Sequence, residues 1–295
     1  MQQGVTADRV TVRFFMPSPA LAPYVSTYYL TEVALPDGEF VEDRLHPEWA
    51  NLRFGRTNVA LAAVGTEPLR PAPRFIATGP TSYSGHFFAG RARIWGIGLL
   101  PLGWARLVDG SAAAYADRFC DGEDDPAFAG FAPLIDRIFT AQADPLAEAG
   151  RIDDFLCGLL EQCPVRADEA RVHAAHAALL DERLATVADY ADRLGMSSRS
   201  LERLSARAFG FAPKLLLRRQ RFLRSLAQFM LDPSLSWIRT LDWHYVDQAH
   251  FVRDFKRFMC MSPSSYAALD HPVLRAAAQA RMAAAGEAVQ ALHRP

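Results

Sequence analysis

Two segments of this 295-residue chain, fifty residues apart, carry the same pattern of apolar and basic residues. At this offset three sets of positions correspond: Leu201-Glu202-Arg203 with Phe251-Val252-Arg253, Arg207 with Arg257, and Pro213 with Pro263. A pattern that recurs in register indicates that one supersecondary unit occurs twice. This repeat constrains the fold of the C-terminal part more than any other feature of the sequence.

The first copy predicts two short helices joined by a tight turn. Residues suited to capping and turning stand at the boundaries: Thr186 and Asp189 at the first start, Gly195 at the turn, and Ser197 at the second start. In the second helix Leu201, Leu204 and Ala208 form an apolar face, which leaves the arginines outside. Such a pair of helices is typical of a helix-turn-helix that enters the major groove of DNA.

The second copy predicts an equivalent reading helix, with Phe251, Phe255 and Phe258 as its apolar stripe. Between the copies, residues 213–230 have the period of one long amphipathic helix. The first helix of the second unit is placed at Trp237-Ile238-Arg239-Thr240-Leu241 and is more polar than the usual pattern. Two reading helices on one stiff spacer would enter successive major-groove faces about 34 Å apart.

Residues from about 166 to 269 resemble the DNA-binding region of the AraC/XylS family of bacterial transcription regulators. The matching residues are Met196-Ser197-x-Arg199-x-Leu201-x-Arg203, Gly210-x-x-Pro213, Asp247-Gln248-Ala249-His250-Phe251-x-Arg253-x-Phe255-Lys256-Arg257-Phe258 and Ser262-Pro263-x-x-Tyr266. Two positions depart from the family pattern, since His244 and Cys260 stand where the family usually has glycine. Glycine is favoured there because it adopts positive φ without strain.

The resemblance implies which residues contact DNA. Base edges would be contacted by Ser198, Arg199, Glu202 and Arg203 in the first unit, and by Gln248, Ala249, Val252 and Arg253 in the second. Candidates for phosphate contacts are Arg207, Arg218, Arg219, Arg221, Arg224 and Lys256. The chemistry agrees, because arginine pairs with guanine, glutamine with adenine and glutamate with the cytosine amino group, while small apolar side chains suit thymine methyls.

The charge distribution supports a nucleic-acid partner, although the formal net charge is only −1. Residues 193–257 hold 13 Lys and Arg against 5 Asp and Glu, a balance of +8. The rest of the chain holds 19 basic and 28 acidic residues, a balance of −9. A basic segment attached to an acidic one is expected of a DNA-binding module joined to a regulatory part.

The N-terminal hundred residues predict β structure, because short apolar and β-branched runs alternate with turn residues. From Pro101 the pattern becomes helical. The fold class is therefore α+β: an N-terminal β-rich domain with helices, of jelly-roll or barrel type and cupin-like by resemblance, precedes an all-α domain of two helix-turn-helix units joined by a long helix. The predicted boundaries are a sensor or regulatory domain at 1–164, a DNA-binding domain at 165–270 and an Ala-rich tail at 271–295.

An enzyme is the alternative: a metal-dependent cupin with a helical appendage. His46, Glu48 and His86 are candidate ligands but are too scattered to define a site. The four cysteines form no C-x-x-C pair, and His173 and His176 lack a third ligand nearby, so a solvated helix is expected there. We therefore predict no catalytic residues, no metal and no cofactor, and the effector site cannot be located from the sequence.

The first residues lack a basic segment followed by an apolar core, so no signal peptide is expected. No apolar stretch approaches the roughly 18 residues of a membrane span, which predicts a cytoplasmic protein that does not contact membranes. Double-stranded DNA is the expected partner. By resemblance, a small-molecule effector, RNA polymerase and a second copy of the chain are further candidate partners.

Overall fold

The computed structural model describes residues 9–231, 242–243, 245, 247–286 and 289–295. Its N-terminal part contains ten strands: β1 (Val10–Phe15), β2 (Val25–Val33), β3 (Val41–Leu45), β4 (Asn51–Thr57), β5 (Ala60–Val64), β6 (Arg70–Pro71), β7 (Phe75–Thr78), β8 (Gly85–Ala89), β9 (Ala92–Leu99) and β10 (Phe119–Asp121). The predicted β-rich N-terminal part is confirmed.

The strands form two antiparallel sheets. The six-stranded sheet has the order β1-β2-β9-β4-β7-β10, and the four-stranded sheet has the order β3-β8-β5-β6. Strands β2 and β9 are buried along most of their length, and Trp95, Ile97 and Leu99 of β9 are completely inaccessible. These side chains pack against helices that cover the outer face of the larger sheet.

Three helices follow or cover the sheets: α1 (Pro101–Leu107), α2 (Leu134–Ile138) and α3 (Pro145–Gln162). Proline occupies the first turn of α1 and α3, where its missing N–H costs no helical hydrogen bond. Asp144 caps α3 by accepting from the amides of Leu146 and Ala147. The buried face of α3, with Ile152 and Leu156, completes the N-terminal core.

The C-terminal part is helical: α4 (Glu169–Leu179), α5 (Val187–Arg193), α6 (Ser198–Phe209), α7 (Pro213–Leu231), α8 (Gln248–Met259), α9 (Pro263–Ala267) and α10 (Pro272–Ala285). The fold is therefore antiparallel β structure followed by a helical region, as predicted. His176 on α4 is completely buried and packs on Trp49, so the prediction of a solvated surface at this position is wrong. The histidine faces the N-terminal part rather than water.

The two parts share one apolar core. Trp49, Leu100 and Leu102 of the N-terminal part belong to the same cluster as the apolar faces of α6, α7 and α8. The Trp49 ring meets Phe209 of α6 edge to face at 5.6 Å between centroids. Burial of apolar surface between the parts stabilises their relative arrangement.

Candidate nucleic-acid interface and ligand cavity

The first helix-turn-helix is formed by α5 and α6. Thr186 accepts from the amide of Asp189 at 3.1 Å, and Ser197 accepts from that of Ser200 at 3.2 Å, so both predicted N-caps are present. Gly195 takes a φ of +59° in the turn, a conformation that glycine adopts without steric cost. Leu201, on the inner face of α6, is completely buried and packs this helix against its neighbours.

The outward face of α6 carries the residues predicted to contact bases. Ser198, Arg199, Glu202 and Arg203 are all exposed. Positions one, two, five and six of a helix lie on one side of its first turns, because the helical period is 3.6 residues. Their side chains are therefore presented together at the N-terminal end of α6, the end that a recognition helix directs to base edges.

The second reading helix, α8, has the same construction. Asp247 caps it by accepting from the amide of His250 at 2.6 Å. Phe251, Phe255 and Phe258 are completely buried, and each packs against Phe222 of α7. On the outer side, the residues predicted to contact bases comprise three exposed positions and one half-buried position: Gln248, Ala249 and Arg253, with Val252.

Two predicted features of the second unit lie outside the described residues: the first helix at 237–241 and the glycine-like position His244. The other departure from the family pattern is described. Cys260 ends α8 with a φ of +58°, and Gly210 ends α6 at the equivalent position with a φ of +82°. The residue that ends each reading helix is thus in the left-handed conformation in both units. In the second unit this residue is a cysteine, for which a positive φ is strained because of its β-carbon.

Arg219 of α7 does not reach the protein surface, so its prediction as a phosphate contact is wrong. Its side chain is completely buried, donates to the Thr81 carbonyl at 2.8 Å and lies 3.8 Å above the Trp49 ring. Burial lowers the pKa of Arg219 to about 9, and the guanidinium therefore stays charged at neutral pH. The spacing of the arginines along the helix did not show which of them faces inward.

The other phosphate candidates remain at or near the surface, and most are held by neighbouring groups. Arg207 forms an ion pair with Asp168, and Arg218 forms one with the buried Asp254. Arg224 pairs with Asp242 at 2.5 Å and is largely buried. Arg221 lies 5.6 Å from the centre of the Tyr245 ring, while Lys256 is exposed.

A cavity of about 210 Å³ lies between the two sheets. Its walls are mainly apolar and come from strands of both sheets: Val12, Leu61, Ile76, Phe87, Ile94 and Phe119. Residues of α10 and Gln290 complete the lining. The cavity is smaller than the roughly 300–1,000 Å³ pockets that hold drug-sized molecules.

A connected group of polar side chains forms one part of the cavity wall. Asn51 accepts from the Tyr29 hydroxyl at 3.1 Å and donates to Glu48 at 2.7 Å and to Gln290 at 3.1 Å. Arg53 donates to Glu48 at 2.5 Å. Burial raises the pKa of Glu48, and the neighbouring Arg53 opposes this shift. Burial also raises the pKa of Tyr29 to about 12.

The three candidate metal ligands of the sequence line this cavity, but each is engaged by a different protein group. Nε2 of His46 lies 2.8 Å from the Tyr266 hydroxyl, that of His86 lies 2.8 Å from Glu42, and Glu48 pairs with Arg53. Burial, with a contribution from His271, lowers the pKa of His46 to about 3. Within the described ranges, no three His, Cys, Asp or Glu side chains are grouped to hold a metal ion.

Comparison with protein families matches a model described as "Helix-turn-helix domain", of the AraC type, to residues 190–268. The matched region runs from within α5 to the end of α9 and includes both reading helices. Residues 190–268 are therefore a helix-turn-helix domain of the AraC type, and the chain is a DNA-binding transcription regulator. No curated protein matches the chain.

Among solved structures, ToxT and CuxR are similar to the chain at low sequence identity. ToxT from Vibrio cholerae is 11% identical with a TM-score of 0.44, and the alignment covers 78% of this chain and 97% of ToxT. ToxT bound to (E)-4-(8-methylnaphthalen-1-yl)but-3-enoic acid is 10% identical with a TM-score of 0.45, and the alignment covers 88% of this chain and 97% of ToxT. The AraC-like transcriptional activator CuxR is 16% identical with a TM-score of 0.22, and the alignment covers 75% of this chain and 88% of CuxR.

Several residues that shape the fold carry no local signal in the sequence. Asp43, Gln290 and Arg281 lie more than two hundred residues from their partners in the chain, at the cavity or next to it. A long-range pairing of this kind leaves no periodic pattern to recognise. In the part of the chain that the structure describes, no helix is both long enough and apolar enough to span a membrane.

Proposed function

We propose that α6 and α8 insert into two successive major-groove faces of one DNA site and that the chain regulates transcription from that site. The observation that supports this proposal is the equivalent exposure of two capped reading helices, each held by an apolar face against a shared core. Helices of this kind present their N-terminal residues to base edges. The sheets and their cavity would form the regulatory part.

The exposed residues have the chemistry that base reading needs. Arg199 and Arg203 can pair with guanine O6 and N7, and Glu202 can accept from the cytosine amino group. In the second unit Gln248 suits adenine and Arg253 suits guanine. Ala249 and the half-buried Val252 offer apolar contact to thymine methyls, and Ser198 adds a hydroxyl.

Phosphate contacts would come from Arg207, Arg218, Arg221, Arg224 and Lys256, without the buried Arg219. Because four of these side chains already contact protein groups, DNA would compete with Asp168, Asp254, Asp242 and the Tyr245 ring. Lys256 is exposed and is the simplest of the set to assign. These contacts would supply affinity and register without sequence preference.

Control through a small molecule in the cavity is the second part of the proposal. The cavity lies between the two sheets and α10, is mainly apolar and contains a few convergent polar groups, as binding sites for small ligands do. His46, Glu48 and His86 are each engaged by protein groups, which supports a sensing role rather than metal-dependent catalysis. The bacterial cytoplasm is the expected location, with RNA polymerase and a second copy of the chain as candidate partners.

Genome-wide mapping of the DNA fragments bound by the chain tests this proposal. The mapped fragments should share a sequence with two blocks about one helical turn apart, and the purified chain should prefer this sequence over a scrambled version by about 10³-fold or more. Equal affinity for mapped and scrambled fragments at physiological salt would contradict sequence-specific binding.

A further inference from the structure

Helix α10, which follows the second helix-turn-helix, closes the side of the sheets. It packs on β1, an edge strand of the six-stranded sheet, and on β3, an edge strand of the four-stranded sheet. The residues that it directs into the cavity lie on one helical face: Val273, Leu274, Ala277, Ala278 and Arg281. A wall of the cavity therefore comes from the end of the chain and not from the sheets.

Asp43 on β3 fastens the beginning of α10. Its Oδ2 accepts from the amides of Val273 at 2.9 Å and Leu274 at 2.7 Å, and its Oδ1 lies 3.1 Å from Nδ1 of His271. His271 precedes the helix with a φ of +48° and provides no side-chain cap. Asp43 thus accepts, from strand β3, the hydrogen bonds of the first α10 amides, which an N-cap residue would normally accept.

The same contacts reach the second helix-turn-helix. Nε2 of His271 donates to the Tyr266 carbonyl at 2.8 Å, and the Tyr266 hydroxyl lies 2.8 Å from His46 in the cavity wall. Tyr266 is completely buried in α9 and packs edge to face on Phe255 of α8, with 5.5 Å between ring centroids. The Tyr266 side chain therefore touches both the cavity wall and the apolar side of a reading helix.

The last residues extend this connection to the spacer helix. Gln220 of α7 donates to the Ala291 carbonyl at 2.7 Å, while the adjacent Gln290 accepts from Asn51 in the cavity. Both ends of the C-terminal segment are thus attached to the cavity and to the helices that carry DNA-facing residues. A ligand that moved α10 or Gln290 would act on α9 and α7 through direct contacts.

We propose that residues 271–286 and 289–295 are the ligand-responsive wall of the cavity and couple its occupancy to the second helix-turn-helix. This inference rests on the proposed function, in which the chain binds DNA and takes an effector. Coupling of this kind is reciprocal: a ligand that favours one position of the wall changes DNA affinity, and DNA changes ligand affinity by the same factor.

The cavity fixes the chemical class of the ligand. On this measure a water molecule needs about 10–15 Å³, so the cavity of about 210 Å³ has room for an organic molecule of about ten non-hydrogen atoms or more. The charged side chains of the lining are engaged by protein groups, since Glu48 pairs with Arg53 and Arg281 donates to the Thr27 hydroxyl at 2.6 Å. The amides of Asn51 and Gln290 are joined by a hydrogen bond. The ligand is therefore a small, neutral, mainly apolar molecule with one hydrogen-bonding group.

Calorimetric titration of the full chain with 3-phenylpropan-1-ol tests the site, with 3-phenylpropanoate as the charged counterpart. The alcohol should bind with a Kd of about 1 mM or tighter, and the anion about tenfold more weakly. Ala278→Phe, which fills the cavity from α10, should weaken alcohol binding about tenfold or more. Ala283→Phe, on the exposed side of the same helix, should bind like the wild type.

No binding of the alcohol, or equal binding by the Ala278→Phe chain, would overturn the site, and stronger binding of the anion would overturn the ligand class. Circular dichroism and thermal melting of both variants establish that they are folded. If Ala278→Phe fails to fold, Ala277→Leu provides the same obstruction with a smaller side chain, because Ala277 also lines the cavity.

Hydrogen exchange tests the coupling separately. Added alcohol should slow amide exchange in α10 and also in α9, although no residue of α9 lines the cavity. In Asp43→Ala, protection of α9 should be lost while the strands are still protected, and Asp43→Asn should restore part of it. Protection confined to the strands of the wild type would overturn the coupling. A chain that bound the alcohol in this way but ignored DNA would instead contradict the proposed function.

Discussion

The reading helices of the two units, α6 and α8, share one construction but differ in how they are stabilised. Leu204 in the first unit is buried among apolar side chains, whereas the equivalent position in the second unit is the buried Asp254, held by Arg218 and by the Tyr245 hydroxyl at 3.1 Å. Gly210 ends α6, and Cys260 ends α8. The comparison shows that the motif fixes the conformation, while neighbouring elements determine which residues can adopt it.

The attachment to the sheets also differs. The first unit packs against the N-terminal part mainly through apolar side chains, such as Phe209 on Trp49. The second unit is attached by hydrogen bonds from Ser84 of the N-terminal part. The Ser84 amide donates to the Phe258 carbonyl at 2.7 Å, and the Ser84 hydroxyl donates to the Met259 carbonyl at 3.1 Å. These bonds satisfy carbonyls that the end of a helix leaves without partners. The second unit is therefore held to the N-terminal part through the backbone at the end of α8.

The largest difference should appear when the buried polar site of the second unit is removed. Asp254→Ala should lower the free energy of unfolding by about 3 kcal/mol, because Arg218 and Tyr245 lose their buried partner. Asp254→Asn should cost less, since the amide oxygen still accepts hydrogen bonds. Denaturant unfolding measures both. A loss below about 1 kcal/mol for Asp254→Ala would mean that this ion pair does not stabilise the unit.

The arginines at equivalent positions test whether both units contact bases. Arg203→Ala and Arg253→Ala should each cost about 1–3 kcal/mol on the specific site and relax the preference at one base position, in different halves of that site. Binding to a library of site variants measures this. Arg91→Ala, an exposed arginine on the sheets, is the control and should change nothing. Equal losses on random DNA would instead make these arginines phosphate contacts.

The helix ends test the conformational part of the comparison. Gly210→Ala should destabilise by about 1–2 kcal/mol, because a β-carbon is strained at this φ and would lie 2.5 Å from Cγ of Pro80. Cys260→Gly should stabilise the protein by about 0.5–1 kcal/mol, since it removes the same strain. Thermal unfolding of the two variants measures both effects. A destabilised Cys260→Gly chain would show that packing of the thiol outweighs the strain.

The smallest effect concerns phosphate binding. Lys256→Ala should weaken binding to all DNA sequences alike and reduce the slope of log affinity against log salt by about one. Affinity measured over a series of salt concentrations tests this expectation, with Lys214→Ala on exposed α7 surface as a comparison. An unchanged slope would remove Lys256 from the interface.

The sequence predicted the elements whose signals are local. Thr186 and Ser197 cap helices as expected, and the periodic apolar residues of α6 and α8 are buried. Strand β3 was not predicted, because Val41-Glu42-Asp43-Arg44-Leu45 has few apolar residues. Its central aspartate is buried because it accepts hydrogen bonds from the start of α10, which is distant in the chain. Arg219 was misplaced for a related reason, since its partners Thr81 and Trp49 are distant in the chain.

The candidate site was predictable only in part. The residues predicted to contact DNA followed from a repeat and a resemblance, both of which depend on neighbouring positions. The cavity is lined by strands of both sheets together with Ala278 and Gln290 of the C-terminal tail. Nothing in the composition of this tail indicates that it returns to the sheets. Contacts between such distant segments become visible only when the chain is folded.

The central claim is that two reading helices contact one DNA site at a spacing of one helical turn. Affinity should be measured for the mapped site and for versions with about five or about ten base pairs inserted between its two blocks. The half-turn insertion moves one block to the opposite side of the duplex, so affinity should fall about tenfold or more. Unchanged affinity after the half-turn insertion would contradict the claim that α6 and α8 bind together.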